Sequence, residues 1–336
     1  MITPQDDFPH AVAPQAFMTW KENWVLCGLD TAQRAAFVFH VSLRPAEGEG
    51  IFSAKLSLED DRYRHVGRRR IPRDPRELHP LADERMTLEI VEPARRFRVA
   101  YRSPELEAEL RLRGRFEPFD FADGPKPPGE STLGEIRLSV FPFSHYEQGL
   151  ELEGELRPTR GRRAGQVVRV SGLGNRDHSW GFRDDFQFIH HHWICASFDD
   201  RYVQGSAMLE RSYPDLKHGG FLSRASGNDP VRMIDTSDAY WLEPAGESLP
   251  QLDRDVRYRL ETVSGETQTV IAHVSSEYAR LYLNAKSPDR SRLYQDCQIF
   301  CDYTLLETSQ RGCGVLELGK YLEGEGVADR HGRAAA

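Results

Sequence analysis

Between residues 171 and 184 the chain reads Ser-Gly-Leu-Gly-Asn-Arg-Asp-His-Ser-Trp-Gly-Phe-Arg-Asp. From Arg176 to Arg183 this stretch gathers an acid, an imidazole, an indole and two guanidinium groups. A carboxyl group placed among apolar and aromatic walls has its pKa raised by desolvation. It can then hold a proton near neutral pH and act as a general acid. Asp177 is the candidate donor, and His178 can hold or relay the proton. The Trp180 ring face can stabilise a carbocation by ~0.5–2 kcal/mol. Arg176 and Arg183 would orient the acid or a substrate oxygen. Such a set suits protonation or isomerisation of an alkene, or addition of water to one. In an extended segment 177 and 179 share a face while 178 and 180 share the other. Gly172, Gly174 and Gly181 predict a kink that lets both faces serve one cavity. The plainer reading pairs Asp177 with Arg176 or Arg183 and makes Trp180 a core anchor.

Other residues offer less. His190 and His192 share a face on a strand, half of a metal site, but no carboxylate follows before Asp199. No metal is expected there, and both are expected to line a cavity. Cys297, Cys301 and Cys313 do not match zinc spacings. Gly172-Leu-Gly174 lacks the third glycine and helix of a dinucleotide site, and no Gly-x-Ser-x-Gly elbow is present. No cofactor is expected. Asp6, Asp7 and His10 lie in an N-terminal arm; they could reach a metal or a site, but the favoured reading is a loose polar terminus.

The elements that must position these groups read as strands. Residues 105–116 alternate cleanly, Leu106, Ala108, Leu110 and Leu112 against Glu107, Glu109, Arg111 and Arg113, which predicts a strand with one wet face. Similar alternation recurs at 136–140, 150–156 and 256–260. Residues 186–198 and 202–209 flank Asp199-Asp200 and predict a hairpin. No strong amphipathic helix is found. The fold class is therefore all-β, as sandwiches or closed barrels, since closure removes exposed edges. Two domains are expected, residues 1–168 and 169–325, the second carrying the motif, with a flexible tail at 326–336.

Net charge is −8, so no overall basic field invites nucleic acid. The arginine runs at 68–76 and 157–163 are read as solvated surface. No run of about 18 apolar residues predicts a membrane span. Five cysteines and no signal-like start imply free thiols and a cytoplasmic protein. Oligomeric state is open, and a homodimer is allowed.

The segment from Gly172 to Arg183 resembles the Asp-His-x-Trp-Gly motif of the AttH / carotenoid 1,2-hydratase (hydroxyneurosporene synthase) superfamily. His145-Tyr-Glu-Gln148 and Trp20-Lys-Glu-Asn-Trp24 are similar to that family as well. The resemblance covers roughly residues 6–320. It implies two lipocalin-like antiparallel β-domains packed side by side and chemistry on apolar substrates without redox cofactors. Asp177 and His178 match the motif acid and imidazole, Trp180 its aromatic, and Tyr146 and Glu147 the upstream motif. The expected function is a cofactor-independent lyase or isomerase, hydratase- or cyclase-like, acting on an isoprenoid, steroid-like or polyketide molecule. Asp177 and His178 would be catalytic. Trp180, Arg176, Arg183, His190, His192, Tyr146 and Glu147 would bind substrate. The alternatives are a non-catalytic lipocalin-like carrier of a hydrophobic molecule and, more weakly, a metal-dependent barrel enzyme using His190 and His192.

Overall fold

The computed structural model describes residues 2–12, 18, 20–123, 136–138, 141–182, 188–210, 217–236, 255–286 and 292–323. No α-helix occurs among them, only short 3-10 turns. The first lobe holds β1 (Trp20–Asp30), β2 (Ala35–Arg44), β3 (Glu49–Leu58), β4 (Asp61–Arg70), β5 (Leu81–Ala82), β6 (Met86–Glu92), β7 (Arg96–Arg102), β8 (Leu106–Gly114), β9 (Phe119–Asp120), β10 (Ile136–Leu138), β11 (Phe141–Pro158) and β12 (Val168–Phe182). The second holds β13 (Phe188–Ser197), β14 (Arg201–Glu210), β15 (Lys217–Arg224), β16 (Gly227–Thr236), β17 (Val256–Thr262), β18 (Thr267–His273), β19 (Ala279–Lys286), β20 (Arg292–Leu305) and β21 (Gln310–Glu323).

The first sheet runs β4-β3-β2-β1-β12-β11-β8-β7-β6-β5, with β9 and β10 added to β11. Its ends approach one another, since Arg69 on β4 donates to the Ala82 carbonyl on β5 at 2.7 Å. The second runs β18-β17-β16-β15-β14-β13-β21-β20-β19, and β18 also pairs with β20, which closes it on itself. Closure pairs the edge groups that would otherwise invite another chain. The expected hairpin is β13–β14, antiparallel.

Alternation sets the packing. On β8, Leu106, Ala108, Leu110 and Leu112 are buried while Glu107, Arg111 and Arg113 face water. β1 is apolar on both faces because it has a core on each side. Trp24 and Leu26 enter the first-lobe core, while Cys27 and Leu29 enter a third core between the lobes. Val38, Phe119, Phe121, Cys195, Tyr202, Phe221 and Phe300 complete that seam. The five thiols are unpaired, four of them buried. The basic runs lie at the surface in exposed pairs such as Arg160–Glu105 and Arg76–Asp74.

The expected boundary at 168/169 assigns the motif to the second lobe. The hydrogen bonding does not: β12 pairs with β1 and β11 inside the first sheet. The change of sheet falls between Phe182 and Phe188. The loop at 159–167 reads locally as a linker, but it only turns β11 back onto β12. The tail at 326–336 lies outside the described residues.

Gly172 and Gly174 serve close approach, and of the three motif glycines Gly181 takes a positive φ, 131°. A Cβ on Gly174 would stand 2.1 Å from the Cys27 carbonyl oxygen, and one on Gly172 equally close to that of Leu29. Gly174→Ala should therefore destabilise the protein by about 1–3 kcal/mol, the usual cost of overpacking. Urea denaturation measures it; an unchanged midpoint would mean that β1 and β12 are less tightly apposed than described.

Candidate functional site

β12 lies in mid-sheet and is regular through the motif, so strand parity divides the motif side chains. His178 stands opposite Trp24 and Tyr146, and Trp180 opposite Glu22 and Ser144. Asp177 stands opposite Val25 and Glu147. One face looks into the first lobe and the other into the seam.

The inner face carries a continuous polar chain. His178 is fully buried; its Nε2 is 2.9 Å from Glu22 Oε1 and its Nδ1 is 3.2 Å from the Tyr146 hydroxyl. Glu22 is also fully buried and is 2.7 Å from His10 Nδ1. The other nitrogen of His10 is 3.3 Å from Asp6. Tyr146 donates its hydroxyl to Asp7, and Arg176 donates to the same carboxylate at 2.5 Å. Arg176 also donates to Gln148 at 2.9 Å and lies over the Phe97 ring. Trp24 stacks on His178 with centroids 4.3 Å apart, and His10 stacks on Trp180 at 4.1 Å.

Burial works to raise the Asp7 carboxyl, but the Arg176 charge and the Tyr146 hydroxyl prevail and hold it below its usual value. Burial likewise opposes the Glu22 carboxylate, yet its two imidazole partners hold it low. Burial pushes the His178 imidazole down despite Glu22.

The seam face gathers acids. Glu147 is fully buried. Its Oε1 accepts from the Trp193 indole at 2.5 Å and is 3.2 Å from His145, and the Tyr202 hydroxyl donates to Oε2 at 3.4 Å. Phe121 and Phe221 pack edge-on beneath, with Phe121 against His145 and Trp193. Burial pushes the Glu147 carboxyl well above the ordinary range, and Glu317 across the seam adds to the rise. Asp296 is raised in the same way by burial and by Glu317. Glu317 is 2.9 Å from His191 and accepts from Gln298 at 3.0 Å. Burial drives the Lys55 ammonium down to about 8.

The expected donor and relay are thus separated. Asp177 is half-buried on the seam, and His178 is buried on the opposite face. Arg176 does not clamp Asp177; it is turned inward to Asp7. Arg176, His178, Trp180 and Tyr146 do come together, on the inner face. Glu147 and Asp177 come together on the seam. His192 is in neither cluster: it is buried in the second lobe, 3.1 Å from the Tyr258 hydroxyl. Arg183 and the His190 side chain lie outside the described residues.

The reading of the N-terminal arm as a loose polar terminus is corrected. Asp7 is 1% exposed and pairs with Arg176, which is 2% exposed, so the arm is docked. Sequence reasoning missed Glu22, Trp193, Tyr202, His191, Asp296 and Glu317 as site residues. Glu22 carried a signal, since it shares strand parity with Trp24.

A cleft of about 760 Å³ opens where turns of both lobes meet, lined by Arg95, Arg96, Arg113, Arg115, Phe116 and Arg224 among others. Neither Asp177, Glu147 nor His178 lines it.

A domain of unknown function, DUF7064, matches residues 3–316. The chain belongs to the DUF7064 family. No curated protein sequence is similar to it. The fold of this DUF7064 chain is similar to that of a protein assigned as AttH from Nitrosomonas europaea, at 15% identity and a TM-score of 0.58, covering 96% of this chain and 97% of the other. It is similar to kievitone hydratase from Nectria haematococca at 11% identity and a TM-score of 0.58, covering 95% and 92%. It is similar to CghA at 12% identity and a TM-score of 0.59, covering 94% of each chain. At these identities the likeness is one of fold, the AttH-like arrangement that the sequence motifs imply. No helix among the described residues is long and apolar enough to cross a membrane.

Proposed function

We propose that this chain is a hydratase-like acid–base catalyst acting on an apolar small molecule at the seam between its lobes. Glu147 is the proton donor and Asp177, directly across the β11–β12 pair, is the base. The observation that carries this reading is Glu147 itself: a fully buried carboxyl, ringed by Trp193, Tyr202, His145 and Phe121, whose pKa burial raises. The chemistry that the motif invited for Asp177 is thus supported one strand away, and Trp193 takes the part expected of Trp180.

The step balances without a cofactor. Glu147 gives its proton to an alkene carbon, and the cation that develops is stabilised by the Trp193 face. Water adds its oxygen to that cation and loses a proton to Asp177. Transfer of that proton back to Glu147 restores the starting state, and the reverse sequence removes water. Kievitone hydratase shares the fold, which favours this class. The carrier alternative needs only an apolar hollow and gives no part to a desolvated acid such as Glu147.

Incubation with a panel of isoprenoid and polyketide alkenes in H₂¹⁸O, followed by mass spectrometry, tests the proposal. Label should enter one product with wild type. Loss of the general acid or base should cost about 10²–10⁴-fold in Glu147→Gln and Asp177→Asn. Full activity in both variants would remove the seam acids from the mechanism.

A further inference from the structure

The inner-face cluster is not used by that chemistry, and it is short of positive charge. Tyr146 has a single hydroxyl proton, which it gives to Asp7. Its oxygen also accepts from Arg176 Nη1 at 3.1 Å. His178 Nδ1, 3.2 Å from that oxygen, must then be the N–H donor. A neutral His178 therefore turns a bare Nε2 toward Glu22 Oε1, 2.9 Å away. Two acceptors face one another. His10 has the same difficulty, with carboxylates on both nitrogens, Glu22 at 2.7 Å and Asp6 at 3.3 Å. One nitrogen of its neutral ring is always bare against an acid. Among the described residues, buried Asp7 and Glu22 set against Arg176 leave one uncompensated negative charge when both rings are neutral, with the partly exposed Asp6 at its edge. Uncompensated charge in so buried a place is costly.

We propose that His10 Nδ1, His178 Nε2 and the Glu22 carboxylate form a binding site for a divalent transition-metal ion, with zinc the best match. Their ligand atoms all lie within 4.8 Å of one another. Two imidazoles and one carboxylate are a zinc ligand set. Zn–N and Zn–O bonds of about 2.0–2.2 Å put tetrahedral ligands roughly 3.4 Å apart, so the two histidine–Glu22 contacts, now 2.7 and 2.9 Å, open by about 0.5–0.7 Å to admit the ion. The outer partners are already in place. Asp6 holds the far nitrogen of His10, and Tyr146 holds that of His178, the support that metal-bound histidines usually have. Trp24 and Trp180 wall the site by stacking on the two rings. A divalent ion supplies the missing positive charge. It also ties the N-terminal arm, through His10, to β1 and β12. The rival arrangement fills the same gaps with protons, making both rings imidazolium.

The test uses the full-length protein, stripped with chelator and reloaded with Zn²⁺ or Co²⁺ alone. Stoichiometric retention of zinc after desalting is expected, together with the visible absorption of four-coordinate Co²⁺ in the cobalt form. His10→Ala, which changes an arm residue rather than a sheet residue, should abolish both. His191→Ala, which removes the seam's own His191–Asp296–Glu317 grouping, should leave both intact. Chelator should lower the melting temperature of wild type and not that of His10→Ala. Absence of bound metal in reloaded wild type, or binding lost in His191→Ala and kept in His10→Ala, would overturn the proposal.

Discussion

Replacing Asp7 by alanine is expected to destabilise the protein by about 3–5 kcal/mol, the range for removing one partner of a buried ion pair. The carboxylate and the Arg176 guanidinium are 2.5 Å apart, with side chains 2% and 3% exposed. Without Asp7, the guanidinium keeps Gln148 and Tyr146 but, among the described residues, no paired carboxylate. Asp7 also accepts from the Ala94 backbone amide, and Trp24 donates to its carbonyl at 3.0 Å, so the arm and β1 are held by the same residue. Arg176→Met combined with Asp7→Ala should recover part of the loss, since no unpaired charge then stays buried. Denaturant titration of the two singles and the double gives the coupling. A loss under about 1 kcal/mol for Asp7→Ala, the level of an exposed pair, would mean that the arm is not docked.

Glu147→Gln should alter the pH dependence of stability as well as turnover. The ordinary value for this carboxyl is 4.5, and burial raises it in the folded chain. Below 4.5 both folded and unfolded forms hold the proton, and the stability is fully present. As pH rises, the unfolded chain releases the proton first. Stability then falls by about 1.4 kcal/mol per pH unit until the folded carboxyl also ionises. Glutamine has no proton to release, so its stability relative to wild type should climb with pH across that window. Asp177, His145 and Glu317 face the same seam and are unchanged in the variant, so the difference between the two curves reports Glu147 together with its coupling to Glu317. Parallel curves from acid to neutral pH would show that Glu147 is ionised in the folded chain and is no proton donor.

Strand-scale features were legible because a period of two survives wherever one face is buried and the other wet. Leu106 to Arg113 is such a stretch, and it folds as read. The hairpin at Asp199-Asp200 was equally plain. β1 was harder to read, since cores on both sides fill both parities with apolar residues. The motif itself was legible as a cluster but not as a geometry. Its glycines invite a kink when read locally. In the sheet Gly172 and Gly174 let β12 lie against the carbonyls of β1, the positive φ of Gly181 falls beyond the acid and the imidazole, and strand parity parts Asp177 from His178.

The sequence by itself determined the all-β class, the AttH-like family resemblance and the residue types brought to the centre of the first sheet. Those follow from local alternation and from a short contiguous motif. Only the tertiary structure decided which acid is desolvated. Burial is set by what packs from elsewhere: Trp193 and Tyr202 from the second lobe bury Glu147, and the arm's Asp7 claims Arg176. Nothing in the spacing of a single strand records which of its faces meets a second sheet.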